Sequence, residues 1–168
     1  DEKLLLALNP GAGFAAGEKV VVAAYGPDME GKVARIEADK PARQLRAYDA
    51  EGRLVVAYPA TIGSEDNPSP TGTHLVAAVA PMPNYTYDPS INFQQGENTS
   101  KLIIPPGPNC PVGSMWIDLT EPTFGIHGTP EPSRIDKTAS HGCVRLTNWD
   151  AEELAKMVEP GVPVEFIG

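Results

Sequence analysis

The fold class is decided by residues 31–58, GKVARIEADKPARQLRAYDAEGRLVVAY, in which polar and apolar residues alternate. Arg35 and Glu37 alternate with Ile36 and Ala38, as expected of a strand whose side chains point to opposite faces of a sheet. Residues 44–47 and 54–58 have strand composition and flank Asp49-Ala-Glu-Gly52, a typical hairpin turn. The stretch therefore predicts a run of paired antiparallel strands.

Further short strands are predicted on the C-terminal side, over residues 73–80, 114–120, 124–126 and 162–166. Many of the 18 prolines lie between them, which favours long ordered loops over helices. Short strands separated by turns predict a mostly β, mostly antiparallel structure, either a sandwich or a partial barrel.

One main helix is predicted near the C-terminus. Thr147-x-x-Asp150 resembles a capping box, and Pro160-Gly161 would end the helix. An apolar stripe lies between these signals, formed by Ala151, Leu154, Met157 and Val158.

Composition excludes several function classes. A formal net charge of -9 argues against binding to nucleic acid or anionic lipid, which normally requires a basic patch. No apolar run approaches the roughly 18–20 residues of a membrane span. Paired metal-ligand spacings are also lacking, so neither a metal nor another cofactor is predicted.

Chemistry-bearing residues concentrate in Gly125-Ile-His127-Gly128-Thr129 and Ser140-His141-Gly142-Cys143-Val-Arg145. A cysteine attacks as its thiolate, and a nearby imidazole can accept its proton and lower its pKa. Glycines let main-chain N–H groups approach a reacting carbonyl closely, as an oxyanion hole requires. Two other interpretations stay open here: a zinc site, or a buried structural cysteine beside core histidines.

The second motif resembles the signature of the L,D-transpeptidases, the YkuD-type catalytic domain. The likeness extends upstream through residues 58–63, 67–73 and 104–109, and it covers roughly residues 42–167. The resemblance implies a YkuD-like antiparallel β-sandwich or partial barrel with one main C-terminal helix and long Pro-rich loops. It also implies a catalytic domain over residues 41–168.

Residues 1–40 are expected to form a small N-terminal extension. A leucine run, the break Asn9-Pro-Gly and a β-rich valine segment at 19–24 weakly resemble the second half of a lysin motif, a peptidoglycan-binding module. A plain packing extension of the catalytic domain is the alternative.

The resemblance also implies roles for individual residues. Cys143 would be the nucleophile and His127 the general base, with the Gly128 carbonyl fixing the imidazole tautomer. His141 would support the thiolate, and the N–H groups of Gly142 and Cys143 would form the oxyanion hole. The substrate-binding candidates are Ser140, Arg145, Gly128, Thr129 and Tyr87. For Arg145 the residue type itself suggests the role, since a guanidinium can bind a substrate carboxylate bidentately.

The function implied is that of a peptidoglycan L,D-transpeptidase acting on stem peptides, with the diaminopimelate type favoured. Such a transferase serves cell-wall organisation and cell shape in the periplasm or outside the cell, and carbapenem β-lactams would acylate Cys143. The acceptor stays open between a 3-3 cross-link, D-amino acid exchange and protein attachment. The alternatives are an L,D-carboxypeptidase or amidase on the same fold and, more distantly, a non-catalytic wall-binding module.

Cys110 lies in the Pro-rich loop at 105–111. A free, half-buried thiol is the simpler expectation. The sharper hypothesis is a reversible disulfide with Cys143 that would switch the enzyme off.

Overall fold

The computed structural model describes residues 2–24, 26–27, 29–64, 67–90, 97–107, 110–137 and 142–168. Its helices are α1 (Glu2–Leu8), α2 (Asn148–Met157) and a 3-10 turn at Pro132–Arg134. The strands are β1 (Arg35–Asp39), β2 (Gln44–Tyr48), β3 (Leu54–Pro59), β4 (Thr61–Ile62), β5 (Gly72–Pro81), β6 (Tyr85–Tyr87), β7 (Leu102–Ile104), β8 (Met115–Leu119), β9 (Gly125–His127), β10 (Val144–Arg145) and β11 (Pro163–Ile167).

Nine strands form one sheet in the order β3-β2-β1-β11-β5-β8-β9-β10-β4. Two neighbouring pairs are parallel, β1 with β11 and β9 with β10, and the others are antiparallel. The two edge strands, β3 and β4, are consecutive in the chain and only Ala60 separates them. The sheet must therefore curl until its edges nearly meet, which confirms the predicted partial barrel.

The core lies on one face of this curled sheet, where α2 packs. Alternate residues of the strands point inward, as the burial patterns of β1 and β2 show. The α2 stripe of Ala151, Leu154 and Met157 is buried against them. Residues with less than 2% exposure in this core include Ile36, Leu45, Val76, Ile117, Ile126, Val144, Leu146, Leu154 and Val164.

The predicted start of α2 is confirmed in detail. Thr147 is the N-cap residue, and its Oγ1 accepts a hydrogen bond from the Asp150 N–H at 3.2 Å. The same hydroxyl donates to Asp150 Oδ2 at 2.7 Å. An unsatisfied N–H of the first turn is thereby paired, so the helix begins where the capping box predicts.

β6 and β7 form a separate two-stranded hairpin. Its strands continue into a loop that is tied together by Asp88, a buried carboxylate. Lys101 Nζ lies 2.6 Å from Asp88 Oδ2, and Ser90 donates to Asp88 Oδ1 from its hydroxyl at 2.6 Å and its N–H at 3.0 Å. The Lys101 and Ser90 contacts hold the pKa of Asp88 down at about 2. The hairpin is thus closed by an ion pair rather than by a tight turn.

The N-terminal extension contains the predicted short helix, α1, none of whose residues is buried. The valine segment at 19–24 was expected to be β-rich, and that expectation is wrong: residues 19–24 form no strand. Within the described ranges this segment pairs with no strand, and the Asn9 side chain instead bonds to the Val21 N–H and carbonyl. The division at 40/41 stays a prediction, although β1, which precedes it, lies in the nine-stranded sheet. Within the residues described, no helix has the length and apolarity needed to cross a bilayer.

Candidate active site

Three adjacent strands bring the candidate residues onto one face of the sheet. Trp116 of β8 lies opposite His127 of β9, and His127 is the register partner of Arg145 of β10. Two residues along, Asp118 lies opposite Gly125, and the same register brings Cys143 beside Gly125. Because side chains alternate along a strand, these residues share a face opposite the buried Ile117, Ile126 and Val144.

His127 is held rigidly at the end of β9. It is 5% exposed, and its Nδ1 lies 2.6 Å from the Gly128 carbonyl oxygen. A carbonyl can only accept, so Nδ1 carries the proton and Nε2 keeps its lone pair. Burial lowers the pKa of His127 to about 4; the hydrogen bond to Gly128 opposes this effect, and the charge of Arg145 adds to it. His127 is therefore a neutral imidazole near pH 7, able to accept a proton at Nε2.

Cys143 immediately precedes β10 and is half-buried. Its Sγ lies 3.7 Å from the Thr123 carbonyl oxygen. Burial raises the pKa of the thiol, and Asp118 adds to this, while a backbone hydrogen bond from Gly125 and the charge of Arg145 act against it. A neutral His127 contributes no charge that would lower the pKa of the thiol, and His141, the second candidate imidazole, lies outside the described residues. The expectation that an imidazole lowers the pKa of this thiol therefore stays a prediction.

Gly142, the proposed oxyanion residue before Cys143, is glycine for two physical reasons. Its φ is +95°, in the left-handed region that side chains disfavour. A Cβ there would also collide with the Phe124 ring and lie 3.0 Å from the Pro68 carbonyl oxygen. The main chain at 142 therefore packs where no side chain fits.

Arg145 points a positive charge at this face. Its side chain is half-buried, and its buried Nε finds no hydrogen-bond partner within the described ranges. None of the salt bridges among the described residues includes Arg145. Burial lowers the pKa of Arg145, and the charges of Cys143 and Glu131 act against this effect.

Two residues of this face were not assigned to the site from the sequence. Trp116 is half-buried and stacks on His127 with ring centroids 5.5 Å apart. Asp118 accepts a hydrogen bond from the Trp116 indole N–H at 3.0 Å. The only available signal in the sequence was that residues 116 and 118 are two apart and so share one face of a strand. That spacing points to the site only when the register between β8 and β9 is known.

The β6–β7 hairpin contributes Tyr85 to the site. Tyr85 is half-buried, and its pKa is raised by burial and then by the charge of the Cys143 thiolate. Tyr87, the tyrosine selected from the sequence, is 5% exposed. Residues 85 and 87 point to the same side of β6, and Tyr85 is the more exposed of the two tyrosines.

The remaining candidates are placed as follows. Thr129 is buried, and its Oγ1 accepts the Glu131 N–H at 3.1 Å. Gly128 is buried against Asn148. Ser140 and His141 lie outside the described residues, and so does part of the alternative zinc site. No cluster of three or more metal-ligating side chains occurs among the positions that the structure describes.

Cys110 is 1% exposed, and its Sγ lies 3.6 Å from the Pro83 carbonyl oxygen. Neither Cys110 nor Cys143 forms a disulfide among the described residues. The disulfide between them stays a prediction.

This arrangement of a thiol, a neutral imidazole and a guanidinium can be compared with known proteins. The family model of the L,D-transpeptidase catalytic domain, YkuD, matches residues 33–166. The YkuD protein of Bacillus licheniformis, named as an L,D-transpeptidase, is 32% identical over 166 residues, covering 96% of this chain and 84% of that protein. The chain belongs to the YkuD family of L,D-transpeptidase catalytic domains.

Solved structures agree on the fold of this L,D-transpeptidase family member. L,D-transpeptidase 3 from Mycobacterium tuberculosis, in complex with a faropenem-derived adduct, matches with a TM-score of 0.64 and 17% identity, over 82% of this chain and 61% of that one. LdtMt1 in complex with imipenem matches with a TM-score of 0.63 and 17% identity, over 82% and 60%. The chain thus spans about three fifths of these two structures. Family membership indicates an acyl-transferring enzyme.

Proposed function

We propose that this protein is a cysteine acyltransferase that acts on peptidoglycan stem peptides by a two-step exchange. Cys143 attacks the carbonyl carbon of the L,D-peptide bond of a tetrapeptide stem, and the C–N bond breaks to release the terminal D-amino acid. The resulting thioester is then attacked by an amine, which restores the thiol and forms the new amide. The observation that carries the proposal is the shared face of Cys143 and a neutral, carbonyl-bonded His127.

His127 is the base and then the acid of both steps. Its free Nε2 takes the thiol proton as Cys143 attacks, and the imidazolium returns that proton to the departing amine. A carbonyl partner at Gly128, rather than a carboxylate, fixes the tautomer without adding negative charge. The raised pKa of Cys143 supports a proton transfer coupled to attack over a preformed thiolate.

The N–H groups of Gly142 and Cys143 are the proposed oxyanion donors. The positive φ of Gly142 and its close packing on Phe124 give this main chain a fixed shape, which supports preorganised donors. His141 and Ser140 complete the proposed site on the basis of the family motif, His141 beside the thiolate and Ser140 at the substrate.

Arg145 is proposed to bind a carboxylate of the donor stem. Among the described residues its buried Nε has no hydrogen-bond partner and its guanidinium no carboxylate within salt-bridge distance. These observations and its position beside His127 support the role, because a desolvated guanidinium is stabilised by a carboxylate that a ligand can supply. A diaminopimelate-type stem has such a carboxylate at the far end of the side chain whose residue supplies the reacting carbonyl. The other proposed substrate contacts are Gly128, Thr129 and Tyr87.

We propose that the Cys143 thiol also reacts with β-lactams. L,D-transpeptidase 3 of Mycobacterium tuberculosis is known with a faropenem-derived adduct, and LdtMt1 with imipenem. We extend this to a carbapenem or penem adduct on Cys143.

We also propose that the enzyme works in the cell envelope. Its proposed substrate, peptidoglycan, lies outside the cytoplasm, so the reaction would take place in the periplasm or beyond.

The test incubates the protein with purified disaccharide-tetrapeptides and identifies the products by mass spectrometry. We expect 3-3 linked dimers, or exchange products when a free D-amino acid is added, with the wild type and the Cys110→Ala control. Cys143→Ala should form neither. Tripeptide and free D-alanine as the sole products would instead assign the L,D-carboxypeptidase alternative, and turnover by Cys143→Ala would refute the nucleophile.

A further inference from the structure

Trp116 covers one face of His127. The indole and imidazole centroids are 5.5 Å apart and their planes meet at only 18°. The backbone register sets this contact, since the two residues are directly opposite on β8 and β9. Gly125 makes room for the indole: a Cβ at that position would lie 2.5 Å from Trp116 Cζ2 and 2.7 Å from Cε2. The glycine of the Gly-Ile-His motif is therefore the seat of the tryptophan ring.

The far edge of the indole is fixed as well. Its Nε1–H donates to Asp118 Oδ1 at 3.0 Å, and Asp118 occupies the register position opposite Gly125. The indole thus spans two rows of the sheet, from Asp118 at one end to the imidazole at the other. A ring held at both ends can define the plane of the ring that it covers.

We propose that Trp116, oriented by Asp118, is a positioning residue that fixes the His127 imidazole for proton transfer. This rests on the proposed function, in which His127 is the base. The Gly128 carbonyl holds Nδ1 in place, and the indole face prevents the ring from turning about its Cβ–Cγ bond. Together they keep Nε2 available to the proton of Cys143.

The stacked indole also favours the charged form of His127. When Cys143 loses its proton, the new imidazolium lies against an electron-rich face, and cation–π attraction stabilises it. Asp118 strengthens this effect by accepting the indole N–H. Burial and the charge of Arg145 act in the opposite direction. Among the described residues, the titratable and charged groups facing this pair are Asp118 of β8, Cys143 and Arg145 at β10, and Tyr85 of the hairpin, with Glu131 and Arg134 near Arg145.

The kinetic test compares Trp116→Leu, Trp116→Phe and Asp118→Asn in the rate of Cys143 acylation by faropenem, followed by intact-protein mass spectrometry. For Trp116→Leu we expect a limiting rate about tenfold lower, the size of a partly desolvated cation–π contact, with the half-saturating concentration unchanged. Trp116→Phe keeps an aromatic face and should stay within about threefold of wild type, with Asp118→Asn between the two. Trp149→Leu removes the exposed tryptophan of α2 and is the matched control, expected to match the wild type.

A second measurement needs no substrate. The ¹⁵N chemical shifts of His127 should show one tautomer, protonated at Nδ1, in wild type and Trp116→Phe, and a mixture in Trp116→Leu. A wild type that is not acylated but shows this difference would count against the proposed function alone. The positioning role is refuted if Trp116→Leu keeps both the wild-type limiting rate and the wild-type spectrum, or if a folded Trp116→Phe loses as much rate as Trp116→Leu.

Discussion

The low pKa of His127 makes a quantitative prediction about acid tolerance. With a pKa of about 4, roughly nine tenths of His127 stays neutral at pH 5, whereas an ordinary histidine with a pKa near 6.5 would be only about 3% neutral. If neutral His127 is the base, lowering the pH from 7 to 5 should cost about a tenth of the acylation rate. An unperturbed histidine would cost more than about twentyfold over the same range. The measurement is the second-order rate of Cys143 acylation by faropenem between pH 3.5 and 8.

Arg145 provides the internal control for this profile. Its positive charge is one cause of the low pKa, after burial, so Arg145→Gln should move the acid limb to higher pH while Arg145→Lys leaves it near the wild-type position. His127→Gln should abolish the limb. A wild-type limb at pH 6.5, or coincident limbs for the Gln and Lys variants, would refute the reasoning.

The low pKa of His127 should also make the free energy of unfolding lower in acid than at neutral pH. The unfolded chain binds a proton at His127 near pH 6.5, but the folded chain binds it only near pH 4. Between these values the unfolded state holds more protons, so the free energy of unfolding falls as the pH falls, by about 3 kcal/mol in all. Urea titrations of wild type and His127→Gln at pH 7 and pH 4.5 would isolate this contribution, which the variant should lack.

Three further predictions test the structure around the site. Thr147→Ala should lower the free energy of unfolding by about 1 kcal/mol in urea denaturation, because α2 loses its N-cap, while Thr147→Ser keeps the hydroxyl and should stay near wild type. Equal losses in the two variants would show that the hydroxyl is not the cap. Gly142→Ala should slow acylation about a hundredfold, and adding Phe124→Leu should restore the rate only in part, because the positive φ at residue 142 stays strained. Full restoration would mean that the collision with the Phe124 ring is the sole cause. Lys101→Met should speed hydrogen exchange of the β6 and β7 amides, measured by mass spectrometry, whereas the control Lys40→Met should not. Unchanged exchange in Lys101→Met would mean that the contact of Lys101 with Asp88 does not close the hairpin.

Local patterns were sufficient for most of the secondary structure. The strands around the Asp49-Ala-Glu-Gly52 turn and the capped start of α2 depend on interactions between residues close in sequence, and the structure has them where they were expected. The valine segment at 19–24 shows the limit of such patterns. Its composition favours a strand, but a strand forms only where a partner edge is free, and composition does not record that.

The candidate site was predicted in its chemistry but not in its surroundings. Cys143, His127 and Arg145 lie in one short segment, so the motif selected them directly. Trp116 and Asp118 belong to another strand, and only the register of β8 beside β9 places them next to His127 and Gly125. Tyr85 likewise belongs to a separate hairpin, and the charge of Cys143 raises its pKa after burial does.

The sequence by itself therefore determined the strand-rich fold class, the capped helix and the thiol–imidazole chemistry, because each is written in residues at fixed short spacings. Tertiary structure alone decided that β3 and β4 lie at opposite edges of the sheet and that the Trp116 indole covers His127. It also decided that burial lowers the pKa of His127 and raises the pKa of Cys143. Those features depend on register and desolvation between strands distant in sequence. Both arise only when the whole sheet has formed.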